Sequence, residues 1–249
     1  MDDKVISAFK KEFLSIKKKG FVLSHRIHDT GIGKTFEDYM NILENNNFMA
    51  DYKGVLELKS SREFSVSMMT LFTKAPSNPP KVNTYLRERY GEPDSDSDGL
   101  KTIHTTFSSL KFNTYIKRLG FKLEVDRKAK KIYILIKDLA SERIVDRDVF
   151  YTFDDIAYIL ENKCKYIAYI SAEPKKEGEK EFFHFKKAVL LSGLSPEKFI
   201  DMVEAGLILY DIRMGVFRSG KNKGKTHDHG SGFRVLKQNI DKVFKVEEI

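Results

Sequence analysis

The sequence predicts a mixed fold, α/β or α+β, and three observations predict it. Apolar residues recur every three or four positions in some stretches and alternate in others, the periods of helix and strand. The two patterns interleave along the chain, with no internal repeat and no low-complexity tract. Of the 249 residues 41% are hydrophobic, with 19 Phe and 11 Tyr, which is enough for a core and excludes a disordered or fibrous chain.

The elements follow in order. Val5, Ile6, Phe9, Phe13 and Ile16 form one apolar stripe, so a helix opens the chain and ends near the Lys17-Lys18-Lys19-Gly20 stretch. A second helix is expected from Thr35, with Phe36, Tyr39, Met40 and Leu43 on one face and Glu37, Asn41 and Glu44 on another. Gly31 and Gly33 read as its flexible lead-in. Residues 53–59 (KGVLELK) and 64–73 read as strands, and the breaker-rich stretch 75–80 separates them from a short helical piece at 85–90. Residues 92–99 are acidic and turn-rich, which predicts an exposed loop. Residues 121–125 and 132–136 alternate around a charged turn, a β-hairpin.

Thr152 can cap a helix running to about Glu161, with Asp155 at the capping-box position. Residues 166–172 form an apolar strand, 175–180 a charged turn and 182–191 a further strand. Ser195 and Pro196 stand at the N-cap and first position of a helix that Gly206 can end. A strand follows at 207–213, then a Gly-rich basic loop at 214–232 and a closing helix at 236–243. Strand order is not legible at this level.

The formal net charge is +8, which suggests a polyanionic partner but is common among proteins that never touch nucleic acid. A single cysteine, Cys164, excludes a disulfide framework and any multi-cysteine zinc or iron–sulfur site, and fits a reducing intracellular compartment. The chain opens with acids where a signal peptide would be basic, and no apolar run reaches the roughly 18–20 residues of a membrane span.

Two constellations carry chemistry. In the first, Glu57 and Lys59 sit two apart in a strand and so emerge on one face, while Leu56 and Leu58 face the core. Asp51 lies just before, behind Gly54, where the chain can turn. Two carboxylates beside an amine suit phosphodiester hydrolysis: Asp51 and Glu57 would hold Mg²⁺, and Lys59 would orient or deprotonate the attacking water. Glu37 would be an outer carboxylate. In a chain that is 32% charged, the same pattern also fits a solvated strand face. The intervening apolar residues, the glycine and the acidic helix upstream favour the site.

In the second, the 213–234 stretch holds six basic residues, one acid and five of the 15 glycines. Arg213, Lys223, Lys225 and Arg234 could meet phosphates or guanine edges, and Asp211, sharing a strand face with Arg213, could accept from cytosine. His227 and His229 could be hydrogen-bonding groups of the same surface. A zinc site at His227-x-His229 lacks a third ligand of fitting spacing, and a mobile basic loop remains the plain alternative.

In this order the two constellations resemble the PD-(D/E)XK nucleases, specifically restriction endonucleases of the MvaI/BcnI type and their relative, the repair nicking enzyme MutH. The resemblance rests on residues 31–45 (GIGKTFEDYMNILEN), 51–59 (DYKGVLELK), 70–74 (TLFTK) and 226–235 (THDHGSGFRV). It implies a restriction-endonuclease-like core sheet flanked by helices, in two lobes around DNA. A catalytic lobe would comprise residues 1–85 with parts of 150–200, and a recognition lobe mainly 86–149 and 205–249. It further implies a bacterial, cytoplasmic, monomeric enzyme that uses Mg²⁺ to cut double-stranded DNA one strand at a time. The site would be CC-N-GG-like (CCWGG on the MvaI side), the product would carry a 5′-phosphate, and a cognate DNA methyltransferase would be its genetic partner. Glu37, Asp51, Glu57 and Lys59 would form the active site, and Asp211, Arg213, His227, His229 and Arg234 the major-groove readers. A nicking enzyme and a non-catalytic basic DNA-binding protein remain as alternatives.

Overall fold

The computed structural model describes residues 2–43, 49–96 and 98–249. Its elements run α1 (Asp2–Lys17), β1 (Val22–Leu23), α2 (Gly31–Tyr39), β2 (Leu56–Arg62), β3 (Met69–Thr73), α3 (Val82–Tyr90), β4 (Glu92–Pro93), β5 (Lys101–Phe107), β6 (Leu119–Asp126), β7 (Lys131–Asp138), β8 (Arg143–Asp146) and β9 (Phe150–Thr152). They continue through α4 (Phe153–Lys163), β10 (Tyr166–Glu177), β11 (Lys180–Ser192), α5 (Pro196–Glu204), β12 (Ile208–Val216), β13 (Thr226–Asp228), β14 (Gly232–Val235), α6 (Ile240–Val243) and β15 (Lys245–Glu248). The fold is mixed α/β, with three sheets among the described residues.

The chain divides into two compact units: Met1–Ser67 with Ile159–Ser195 and Ile240–Ile249, and Met68–Tyr158 with Pro196–Asn239. Residues 68–85 therefore belong to the second unit and 240–249 to the first, where the sequence grouped 1–85 together and 205–249 together.

In the first unit, one sheet runs β1-β11-β10-β2, with β15 also on β11. Only the β10–β2 pair is parallel; the other pairs of this sheet are antiparallel. The apolar stripe of α1 packs on β11 and α2 packs on β2. Phe9, Phe13, Phe36, Leu56 and Phe185 are fully buried in the resulting core, each contributing about 1.5–3 kcal/mol of transfer free energy.

In the second unit, one sheet runs β3-β14-β12-β5-β4, with β13 beside β12, and another runs β6-β7-β8, with β9 beside β7. The odd-numbered side chains of β12 face away from the core, because Ile208, Tyr210, Ile212 and Met214 are fully buried. Thr152 caps α4 as expected, accepting the Asp155 amide at 3.1 Å while its hydroxyl donates to the Asp155 carboxylate at 2.8 Å. Among the described residues no helix is long and apolar enough to cross a membrane.

Several expectations are corrected. Gly31 and Gly33 are not a lead-in but the first turn of α2, where a Cβ on Gly31 would stand 2.3 Å from the Arg26 carbonyl oxygen. The helix stops at Tyr39, Asn41 takes a φ of 55°, and Leu43 is exposed rather than on the core face. Glu44 lies outside the described residues.

The strand expected at 64–73 begins only at Met69, leaving Phe64 and Val66 exposed. Asp94 is not exposed: it is buried, accepting the Asp96 amide at 2.9 Å and pairing with Arg218 at 3.2 Å. Residues 175–177 continue β10, so the turn there is shorter than expected. The basic stretch 214–232 is in part strand pairing rather than loop, since β12 runs to Val216 and β13 pairs back onto it. The closing helix is a short 3-10 turn, Lys237–Asn239, followed by α6.

Candidate active site

The acidic constellation forms around β2. Positive φ at Lys53 and Gly54 turns the chain so that the Tyr52 amide reaches the Leu56 carbonyl at 2.9 Å. Asp51 is thereby laid beside the strand. β2 ends the described sheet order; on its outer edge the Leu56 N–H donates to the Tyr52 carbonyl at 3.2 Å and the Leu58 N–H to Asp51 Oδ2 at 3.0 Å.

Glu57 is 1% exposed. Its Oε1 accepts from Lys59 Nζ at 2.5 Å and lies 3.6 Å from Lys163 Nζ. Lys163 is the last residue of α4, just ahead of β10, which runs parallel to β2 and pairs Ile167 with Glu57. Reading the sequence missed this lysine; its place at the end of a helix leading into an apolar strand was the available signal. Cys164, next in the chain, is buried, and burial pushes its thiol up to about 12, so it is a neutral wall of the site.

Burial raises the Glu57 carboxyl above its ordinary value, with Asp51 adding to the effect and Lys59 and Lys163 opposing it. For Lys59 burial is the largest single influence and works against its charge. The attraction and hydrogen bond of Glu57, with Asp51, outweigh it, so the ammonium is held on. Glu37 lies on α2, which packs against β2; the charges acting most strongly on Glu57 are Lys59, Asp51 and Lys163.

Among the described residues, Glu57 Oε2 is buried with no hydrogen-bond partner. An orphaned, desolvated carboxylate oxygen is costly, and a hard cation would satisfy it. Among the described residues no group of three or more His, Cys, Asp and Glu is gathered for a metal. The residues nonetheless fit Mg²⁺, which keeps several waters and needs only one or two protein carboxylates: Asp51 and Glu57 would be its holders.

The second constellation lies on the outward face of β12. Asp211 is buried; its Oδ1 accepts from Thr106 at 2.8 Å, and its Oδ2 lies 2.6 Å from Arg213 Nε and 2.8 Å from Arg234 Nε. Arg234 is buried too, and donates to Thr70 at 2.5 Å and to the Gly230 carbonyl at 2.8 Å. Its Nε, although close to Asp211, is not aimed well enough for a hydrogen bond. Burial lowers its guanidinium's value, as does Arg213, with Asp211 opposing. Both groups spend their hydrogen bonds inward, whereas Arg213 is half-exposed.

His227 stacks on Phe217 at 4.2 Å between centroids and meets His229 at 4.1 Å. Asp228 fixes this turn, accepting the Gly230 and Ser231 amides at 3.0 and 2.7 Å and an Asn83 N–H at 2.9 Å. Burial, then His227 and His104, push His229 below the ordinary imidazole value, so it is neutral at pH 7. Lys225 donates to Asn222 at 3.1 Å in the turn that also carries the exposed Lys223. Thr70, Thr106 and Asn83 were not anticipated, because they come from strands and helices far away in sequence.

A model of the MvaI/BcnI restriction endonuclease family matches residues 10–244. Among solved structures, the complex of restriction endonuclease MvaI with a cognate DNA substrate is 34% identical, with 97% of each chain covered and a TM-score of 0.89. MvaI in the absence of DNA is 31% identical, with 98% of this chain and 97% of that chain covered and a TM-score of 0.62. The motifs alone would admit MvaI itself; at these identities the chain is its relative. No curated protein sequence matches.

Proposed function

The chain belongs to the MvaI/BcnI restriction endonuclease family, and from that premise we propose that it is a Mg²⁺-dependent type II enzyme hydrolysing double-stranded DNA at a CC-N-GG-like site, CCWGG if its preference follows MvaI. It acts as a monomer on one strand at a time, in the cytoplasm of a bacterium that carries a cognate methyltransferase. The observation that carries this reading is the buried Asp51–Glu57–Lys59 arrangement with its orphaned carboxylate oxygen.

The first unit cuts. Bound Mg²⁺ would supply positive charge at the scissile phosphate and a more acidic water. Asp51 and Glu57 would hold that ion, and Glu37 would be an outer carboxylate. Lys59 Nζ, held protonated by its neighbours, orients the attacking water and offsets charge on the phosphate, which favours that role over general base. Lys163 adds a second positive charge beside Glu57. Water adds to phosphorus, the P–O3′ bond breaks, the 3′-oxygen leaves as a hydroxyl after taking up a proton, and the phosphate stays on the 5′ side.

The second unit reads. Arg213, His227 and His229 present donors and acceptors to base edges. Asp211 and Arg234, buried and paired, brace the strand that presents Arg213. Lys223 and Lys225 meet phosphates, which adds affinity without sequence preference.

Digestion of a mixed plasmid with Mg²⁺, followed by sequencing of the ends, tests the reading. Linear product with 5′-phosphate ends inside one short motif, preceded by transient open circle, is the expected result. A stable open circle would favour a MutH-like nicking enzyme. Binding with no Mg²⁺-dependent product at any sequence would leave a non-catalytic DNA-binding protein.

A further inference from the structure

His104 lies on the same face as Arg213, yet nothing in the sequence motifs points to it. It sits on β5, directly across the ladder from Arg213 on β12. Side chains of directly paired residues emerge on the same face, and His104 is exposed there. Its ring meets His229 edge-on at 6.4 Å between centroids. The row of rings Phe217, His227, His229 and His104 thus crosses β13, β12 and β5. Gly215 keeps that row continuous, because a Cβ there would stand 2.9 Å from His229 Nε2.

Phe217 and His227 are stacked on each other, and His229, between His227 and His104 in the row, has a ring neighbour on either side. His104 is the open end of the row, and its ring makes no hydrogen bond to any described residue. Its donor and acceptor nitrogens therefore remain available beside the half-exposed guanidinium of Arg213. The 6.4 Å to His229 is about two base-pair steps of ~3.4 Å, so the two rings can address different base pairs.

Resting on the reading of the second unit as the recognition element, we infer that His104 is a further specificity-determining residue, donating from a ring nitrogen to a purine acceptor in the major groove next to the base pair met by Arg213.

The test compares wild type with His104→Ala on the cognate duplex and on duplexes carrying each single base-pair substitution, reading kcat/KM with Mg²⁺ and equilibrium binding without metal. The expected result is that discrimination falls about tenfold at one position of the site in both measurements, with Tm unchanged because the ring is exposed. His104→Gln, which keeps a donor, recovers part of that discrimination. Unchanged ratios at every position overturn the inference. A uniform loss across all duplexes overturns it too, since that marks a phosphate contact. Wild-type cleavage of the cognate duplex in the same experiment establishes the underlying reading separately, so failure of one is distinguishable from failure of the other.

Discussion

Each unit contains an acid and a base two residues apart on one strand, Glu57 with Lys59 on β2 and Asp211 with Arg213 on β12. The two pairs are alike in geometry, with contacts of 2.5 and 2.6 Å and acids whose side chains are 1% and 6% exposed. They differ in what else meets the acid. Asp211 has partners on both oxygens, from Thr106, Arg213 and Arg234. Among the described residues Glu57 has partners on Oε1 only, and Oε2 is buried and orphaned. An acid-x-base pair in a strand is therefore not in itself an active site. The unsatisfied oxygen separates the pair that can take a cation from the pair that braces a surface.

The largest expected break in this comparison is Lys59→Ala. Removing the charge proposed to face the scissile phosphate lowers kcat by on the order of 10²–10³-fold or more, while duplex binding measured without metal stays within a few-fold. Next comes Arg234→Ala. It leaves Asp211 buried with one fewer cation, and removing one partner of a buried pair costs about 3 kcal/mol, read as a fall in chemical-denaturation stability.

The third effect is on pH. The Glu57 carboxyl is raised above its ordinary 4.5, so it takes up a proton at higher pH than an exposed glutamate. Protons compete with the cation for the carboxylate, so metal affinity falls as pH drops through that raised value, by up to about tenfold per unit. Calorimetric titrations across a pH series check this; affinity that holds constant down to pH 4.5 speaks against it. The smallest effect is Lys223→Ala with Lys225→Ala. It weakens binding uniformly across sequences and reduces the salt slope by about one per lysine.

The sequence resolved the local features and not the assembled ones. The stripe of α1, the Thr152 cap, the Ser195-Pro196 start of α5 and the hairpin of β6 and β7 each depend on neighbours within a few residues, so periodicity and capping exposed them. The Asp51–Glu57–Lys59 spacing was legible for the same reason. β5 was not assigned, because its outward face is built of His104, Thr106 and similar polar residues, and a polar working face with few apolar partners hides the strand signal. The burial of Asp211 and Arg234 was invisible because Thr106 and Thr70 arrive from distant strands. Lys163 was missed likewise: only the parallel pairing of β10 with β2 brings it to Glu57.

The claim that Glu57 takes the cation and Asp211 does not is tested most directly by titrating Mn²⁺, followed by electron paramagnetic resonance, into wild type, Glu57→Gln and Asp211→Asn, each checked as folded by circular dichroism. The expected result is one tight class of bound ion in wild type that is lost in Glu57→Gln and retained in Asp211→Asn. Retention in Glu57→Gln, or loss in Asp211→Asn alone, would contradict it.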